Sequence, residues 1–310
     1  MKMVKTICIE KKINDIELFS KEGLFFSEKD FDLIIDYDCD VYKLENSKKT
    51  LLLSFRKNVL KKENYINAYN SLKNYAKRKH NNRGSAGGLL DVSKLPSYVK
   101  EVTNKSKFRT YYKGKDDKEK KDHISNYVQS GIIGYFDRYD RNQLGNGKTL
   151  PKIPCRTTKF TKEFVEKWDK CIPFIEEIDK QFSIHIPDRH KVQLERASLT
   201  KDFQIKNTAF STITINLNYR TALHKDKGDL PEGFGNLIVL EGDKCGDEKK
   251  PYKGGYTGFP QYKVAVDVRT GDFLAMDVHE FHCNTELTGD NYSRLSLVSY
   301  LRKNMIKCKK

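Results

Sequence analysis

The chain has no pair of cysteines at a CxxC spacing. Its seven cysteines, Cys8, Cys39, Cys155, Cys171, Cys245, Cys283 and Cys308, are scattered and odd in number. That argues against a disulfide framework and against a zinc finger. A reducing, intracellular compartment is expected, with nucleus or cytoplasm left open. No apolar run is long enough to span a bilayer. MKMVKTICIEKK breaks into charge too early for a secretory signal. No internal repeat is evident. Acidic residues are also scarce: 42 Asp and Glu stand against 58 Lys and Arg, a net charge of +16. Such an imbalance speaks to partners and solubility rather than to fold. Polyanions are the expected partners, nucleic acid first and an acidic membrane surface second.

What is present is patterned. A chain of 310 residues holds one large domain or two ordinary ones. Residues 1–40 carry a net charge of −4 and residues 41–125 a net of +14, which leaves +6 for the remainder. DLIIDYDCDVY and TLLLSFRKNVL read as short strands, and residues 61–80 as a basic helix. NNRGSAGGLL, with its three glycines, reads as a loop. SKFRTYYKGKDDKEKKD reads as an exposed charged segment. From Thr161 to Phe182 apolar residues recur at steps of three and four, which predicts a helix, kinked or restarted at Pro173. After about residue 205, AFSTITINLNY, GNLIVLEG, QYKVAVDV, DFLAMDV and RLSLVSYL are short β-rich runs between Gly, Asp and Asn. Strands at that spacing suggest a sandwich, jelly roll or barrel. The expectation is an α+β catalytic unit over 1–310. Residues 1–125 would give strands, a basic helix and loops as the nucleic-acid-facing candidate. Residues 126–205 would give helical support and residues 206–305 a β core.

TALHKDKGDL places His224 and Asp226 two residues apart. In a strand such residues share a face, so an imidazole and a carboxylate can converge on one point. Alone, an HxD in a charged loop is usually a solvated turn. Downstream, DVRTGDFLAMDVHEFHCNTEL offers a third ligand in His279 or His282. RLSLVSYLR then sets Arg294, Ser296 and Val298 on one strand face and Leu295 and Leu297 on the other. An arginine opening an apolar strand is costly to bury unless it meets an anion, and its planar fork suits a carboxylate. Two histidines and a carboxylate on one face of an octahedron form the facial triad of non-haem Fe(II) oxygenases. Beside it, the arginine would hold the distal carboxylate of 2-oxoglutarate. The bland readings are a loop histidine for His279, a small packed residue for Cys283 and a surface ion pair for Arg294. His80, His123, His185 and His190 show no partner spacing.

IPCRTTKFTKEFVEKWDKCIPFIEEIDKQF, DFQIKNTAFSTITINLNYRTALHKDKGDL, GFGNLIVLEGD and the stretch from GGYTGFPQYKVAVDVRTGD to RLSLVSYLR together resemble the TET/JBP family. These are iron- and 2-oxoglutarate-dependent nucleobase dioxygenases, and the likeness is closer to the J-binding-protein, algal or viral-type branch. It covers at least residues 130–305, and NNRGSAGGLLDVSKLP and SGIIGYFDRYD extend it toward residue 35. Neither the cysteine-rich insert of animal TET proteins nor a separate base J recognition domain is expected in these residues. The resemblance implies a double-stranded β-helix (jelly-roll) core with flanking helices, Fe(II), 2-oxoglutarate and O2, and oxidation of the 5-methyl group of thymine or 5-methylcytosine in DNA. EFHCNTEL resembles the distal-ligand motif of the family and favours His282 over His279. His224 and Asp226 take the other two ligand places, Arg294 that of the 2-oxoglutarate arginine, with Ser296 beside it. The insert DKCGDEKKPYKGG lengthens the spacing between HxD and the third ligand; it is expected to be a hairpin loop and puts no ligand in doubt.

A methyl group inside stacked DNA is out of reach of such a site, so the base would be flipped out or presented single-stranded. The basic first half would then track the phosphates of DNA, with no membrane partner expected. Arg83 and Lys94 flank the glycine-rich loop, while Arg109, Tyr111, Tyr112 and Lys113 interleave cations with aromatic rings suited to stacking. Two other readings remain at this point. One keeps the chemistry but acts on RNA, a nucleotide or a protein. The other is a nucleic-acid-binding module that has lost catalysis.

Overall fold

The structure is a computed structural model. It describes residues 4–81, 83–99, 101–103, 106–113, 119–139 and 152–308, the side chains of residues 103, 112, 113 and 119–123 excepted. It is a mixed α/β fold built on two facing sheets.

The larger sheet runs in the order Lys5–Glu10, Cys39–Glu45, Lys48–Arg56, Phe273–Met276, Gly235–Glu241, Arg294–Tyr300, Thr212–Leu217, Val128–Phe136 and Arg156–Thr157. The smaller sheet orders Cys283–Asn284, Thr257–Phe259, Val264–Val266 and Leu33–Ile35. All five β-rich runs after residue 205 contain strands. The N-terminal strands join the same sheets. Phe273 to Met276 pair with Arg56 to Leu53, and Ile35 lies beside Val266. One chain segment thus flanks both sides of the C-terminal strands.

The Arg294–Tyr300 strand shows how alternation builds the site. Leu295 and Leu297 point into a core shared with the helices Lys62–Ala76 and Val165–His185. Ser296, Val298 and Tyr300 point the other way, into a cavity. Strands covered on both faces lose the polar face of a simple amphipathic strand.

Two expectations change. The helix does not restart at Pro173, and Val165–His185 runs through it as one helix. The break lies at Phe164 instead, where φ is −122° and ψ 55°, between Lys159–Glu163 and Val165–His185. The cost is one backbone hydrogen bond, offset by packing of Ile172, Phe174 and Ile175, all buried. A further helix, Pro187–Ser198, opens on a proline whose missing N–H no helix start needs. Finally, Cys155 and Cys308 form a disulfide, with Cα atoms 5.8 Å apart. The fold packs the chain's last turn against residue 155, a proximity across 153 residues that spacing does not reveal. The other five cysteines are free thiols. Among the described residues no helix is long and apolar enough to cross a membrane.

Candidate metal centre and active site

His224 and His282 meet as an isolated antiparallel bridge between the two segments that carry them. The amide of His224 donates to the His282 carbonyl at 3.0 Å, and the amide of His282 donates back at 2.9 Å. The amide of Asp226 donates to the Val278 carbonyl at 3.0 Å, which extends the contact. The two imidazoles lie with ring centroids 4.2 Å apart.

Each ring is oriented by its Nδ1. In His224 it lies 2.8 Å from the Ala222 carbonyl, and in His282 3.0 Å from the Glu280 carbonyl. A carbonyl only accepts, so Nδ1 carries a proton and Nε2 is the nitrogen left to ligate. Those Nε2 atoms lie 3.8 and 3.7 Å from the two carboxylate oxygens of Asp226. One ligand atom from each residue falls within 4.8 Å of the others. Burial and the neighbouring His224 push the His282 imidazole well below its ordinary pKa, which favours the neutral ligand form. His279 lies apart. Its Nδ1 is 3.4 Å from Asp277, whose carboxylate raises the His279 pKa, and its Nε2 faces the Asp229 carbonyl.

A cavity of about 240 Å³ opens on these ligands. The large sheet contributes Asn216, Leu237, Ser296 and Tyr300, and the small sheet Thr257 and Asn284. Asp229 lies in the wall, fully buried, and burial with the nearby Asp226 raises its carboxyl well above the usual range.

Arg294 is 1% exposed. Its guanidinium donates to the Gly255 carbonyl at 3.1 Å, yet Nε has no partner. Its cross-strand neighbour Glu241 is engaged by Arg269 and the Thr270 amide, so no carboxylate of the described residues pairs with Arg294. The Tyr252 hydroxyl is also buried and also without a partner. Burial raises the Tyr252 pKa and the neighbouring Arg294 lowers it, which places the two groups side by side. Gly254 and Gly255 both hold positive φ, at 76° and 73°, and a Cβ on Gly255 would stand 3.1 Å from the Arg294 Nε. Tyr252 and these glycines belong to the insert expected to be a hairpin loop, to which the sequence assigned no role. Sequence reading missed them because the insert is polar and shows no strand period.

The nucleic-acid candidates divide. Arg83 and Arg109 line one groove, described below. Lys94 lines neither cavity and pairs with Asp91 at 2.9 Å. Tyr111 lies in the Thr110–Lys113 strand, and the side chains of Tyr112 and Lys113 lie outside the described residues.

Residues 142–303 match the Tet_JBP family, the oxygenase domain of the 2OGFeDO superfamily. The chain belongs to this family. Among curated relatives it is 34% identical over 181 residues to the bifunctional helicase and thymine dioxygenase JBP2 of Trypanosoma cruzi, a match covering 57% of this chain and 15% of that one. It is also 34% identical over 177 residues to the thymine dioxygenase JBP1 of Trypanosoma brucei brucei, covering 56% and 19%. The chain therefore matches less than a fifth of the length of these relatives. Among solved structures, NgTET1 in complex with 5mC DNA aligns with a TM-score of 0.49 at 14% identity, covering 96% of this chain and 93% of that one.

Proposed function

We propose that the chain is an Fe(II)- and 2-oxoglutarate-dependent dioxygenase that hydroxylates the 5-methyl group of a pyrimidine, thymine or 5-methylcytosine, in DNA. The observation that carries this is the convergence of His224, Asp226 and His282 on one point, with a buried, carboxylate-free arginine on the same sheet face. The two sheets that enclose the cavity are read as the halves of a double-stranded β-helix.

The donor set fits the group. Two neutral imidazoles and one carboxylate suit non-haem Fe(II), and no thiolate joins them. Arg294 and Tyr252 each keep a buried polar atom without a partner. A carboxylate end of 2-oxoglutarate would satisfy both, and Ser296 lies on the same strand face between Arg294 and the cavity. Bound iron with 2-oxoglutarate and O2 supplies the oxidising power needed for an unactivated methyl group.

The residues do the rest. The backbone bridge between His224 and His282 fixes both ligands before any metal arrives. Arg294 neutralises and orients the co-substrate. The walls formed by Leu237, Val298 and Tyr300 exclude water from the reacting methyl group. A base must leave the stack to enter a cavity of this size.

The test is release of succinate from 2-oxoglutarate with Fe(II) and DNA present. Release stimulated by DNA carrying 5-methylpyrimidines is expected. Release that RNA or a free nucleotide stimulates better would move the substrate. No release and no iron binding would leave a nucleic-acid-binding module.

A further inference from the structure

A groove of about 940 Å³ adjoins the metal cavity and shares Arg83, Tyr300 and Arg302 with it. That is the upper end of the range for small-molecule sites, about 300–1,000 Å³. Its charge is one-sided. Arg78, Arg109, Arg138 and Arg156 line it together with Lys159 and the two shared arginines, against one carboxylate among the described residues, Asp137.

Asp137 is spent on Arg302, at 3.0 Å, and Lys159 pairs with Glu163 at 3.7 Å on the exposed surface. The remaining five arginines have no carboxylate within ion-pair distance among the described residues. Neutral groups hold them instead. Arg78 lies over the Tyr75 ring at 4.7 Å. The rings of Tyr75 and Phe160 in turn lie 4.9 Å apart, which fixes Tyr75 on the core. Arg156 donates to the Arg138 carbonyl at 3.0 Å and lies 5.8 Å from the Phe136 ring centroid, while Arg302 lies 4.9 Å from the same ring. Arg83 donates to the Gly131 carbonyl at 3.0 Å. The Arg109 guanidinium stands over Gly84, where a Cβ would come within 3.2 Å of it.

Aromatic faces and carbonyls position a guanidinium without neutralising it. Five like charges in one depression repel each other, a cost offset only when an anion enters. Several guanidiniums along a groove match a chain of phosphates better than one small anion. The rings of Tyr75 and Phe136 are already taken up by Arg78, Arg156 and Arg302.

We propose that this groove carries the sugar–phosphate backbone of the DNA strand that holds the reacting nucleotide, with Arg78, Arg138 and Arg156 on its phosphates. The reacting base then turns from the groove into the metal cavity at the junction of Arg83, Tyr300 and Arg302. The inference rests on the DNA-oxidation reading above. Arg78, Arg83 and Arg109 belong to the stretch of residues 41–125 expected from charge density, while Arg138, Arg156, Lys159 and Arg302 carry the track beyond it.

The test is anisotropy of a short fluorescein-labelled DNA strand and its duplex, measured with the full chain at several salt concentrations and without iron. Arg78→Gln/Arg138→Gln removes two exposed groove charges. Lys48→Ala/Lys62→Ala removes two exposed charges from the 41–125 stretch. The groove variant is expected to bind DNA at least roughly tenfold more weakly, and its slope of log affinity against log salt to fall by about two. The lysine variant should keep the wild-type slope. Equal affinity and slope in the groove variant, or equal losses in both variants, overturn the proposal while leaving the oxygenase reading in place. RNA held by the groove more tightly than DNA overturns the choice of strand. If the wild-type chain binds no DNA at all, the DNA substrate itself fails. Arg156→Gln, scored the same way, covers the case in which the double variant does not fold.

Discussion

His224 and His282 are joined amide to carbonyl in both directions, at 3.0 and 2.9 Å. The link is made by backbone alone, so it survives loss of either side chain. His282→Ala and His224→Ala should fold and melt close to wild type. Their Fe(II) affinity should fall by more than the roughly 10–100-fold that loss of an outer partner costs. Calorimetric iron titration beside thermal melting checks this. Wild-type iron affinity in either variant would remove that histidine from the metal site.

Tyr252 and Arg294 make a second pair. Replacing a hydroxyl that bonds a charged group costs about 1.5–3 kcal/mol, roughly a tenfold or larger change. Tyr252→Phe should raise the KM for 2-oxoglutarate by about that factor with kcat little changed, and weaken anaerobic 2-oxoglutarate binding in parallel. Unchanged binding would show that the hydroxyl faces no co-substrate. Gly255→Ala should act in the same direction, because its methyl would meet the Leu287 side chain at 2.5 Å and Arg294 at 3.1 Å, at a backbone φ of 73°.

Lys43 sets the segment that carries His282. Its ammonium lies 3.1 Å from Asp277 and in close contact with Glu280, whose carbonyl accepts from the His282 imidazole. Burial alone would raise the Asp277 carboxyl, but His279 and Lys43 hold it at about 2. Lys43→Met would leave the buried Glu280 carboxylate without its cation and Asp277 with His279 alone. Iron affinity is expected to fall roughly 10–100-fold, with a loss of thermal stability. Melting lowered with iron affinity intact would make Lys43 a structural residue only.

Asp272 gives the pH dependence. It is 1% exposed and accepts from the amides of Asn58 and Arg269, both at 3.0 Å. Burial raises its pKa to about 6. A carboxyl with a folded pKa above its unfolded one holds its proton longer in the folded state. Stability therefore declines as pH rises from about 4 to about 6, by on the order of 3 kcal/mol, and stays flat above. Asp272→Asn loses an acceptor but cannot ionise. Its stability deficit against wild type should narrow between pH 4.5 and pH 7 in denaturant titrations, conditions chosen to span about 4 to 6. A deficit constant with pH would contradict the assignment.

Much of the site could be read from the chain because its parts are local in sequence. HxD is two residues of one segment, and Arg294 opens a strand whose alternation is plain in RLSLVSYLR. The five β-rich runs announced themselves by composition. What escaped was assembled across distance. Tyr252 comes beside Arg294 from a distant insert that carries two left-handed glycines. Arg78, Arg138 and Arg156 meet only because the Val128–Phe136 strand pairs with Lys79–His80 on one side and Arg156–Thr157 further along. The Cys155–Cys308 link hides in the same way. Phe164, not Pro173, breaks the helix because dense packing around Ile172 to Ile175 outweighs one missing hydrogen bond.

The central claim is oxidation of a 5-methylpyrimidine in DNA at the His224, Asp226 and His282 centre. The most direct measurement uses protein reconstituted anaerobically with Fe(II), then given 2-oxoglutarate, O2 and two duplexes. One duplex carries thymine as its only methylated base and the other also carries 5-methylcytosine. Nucleoside mass spectrometry of the digests should show one added oxygen on one of these bases, lost in His224→Ala. Unmodified DNA from both duplexes, under conditions where the protein holds iron and releases succinate, would contradict the claim.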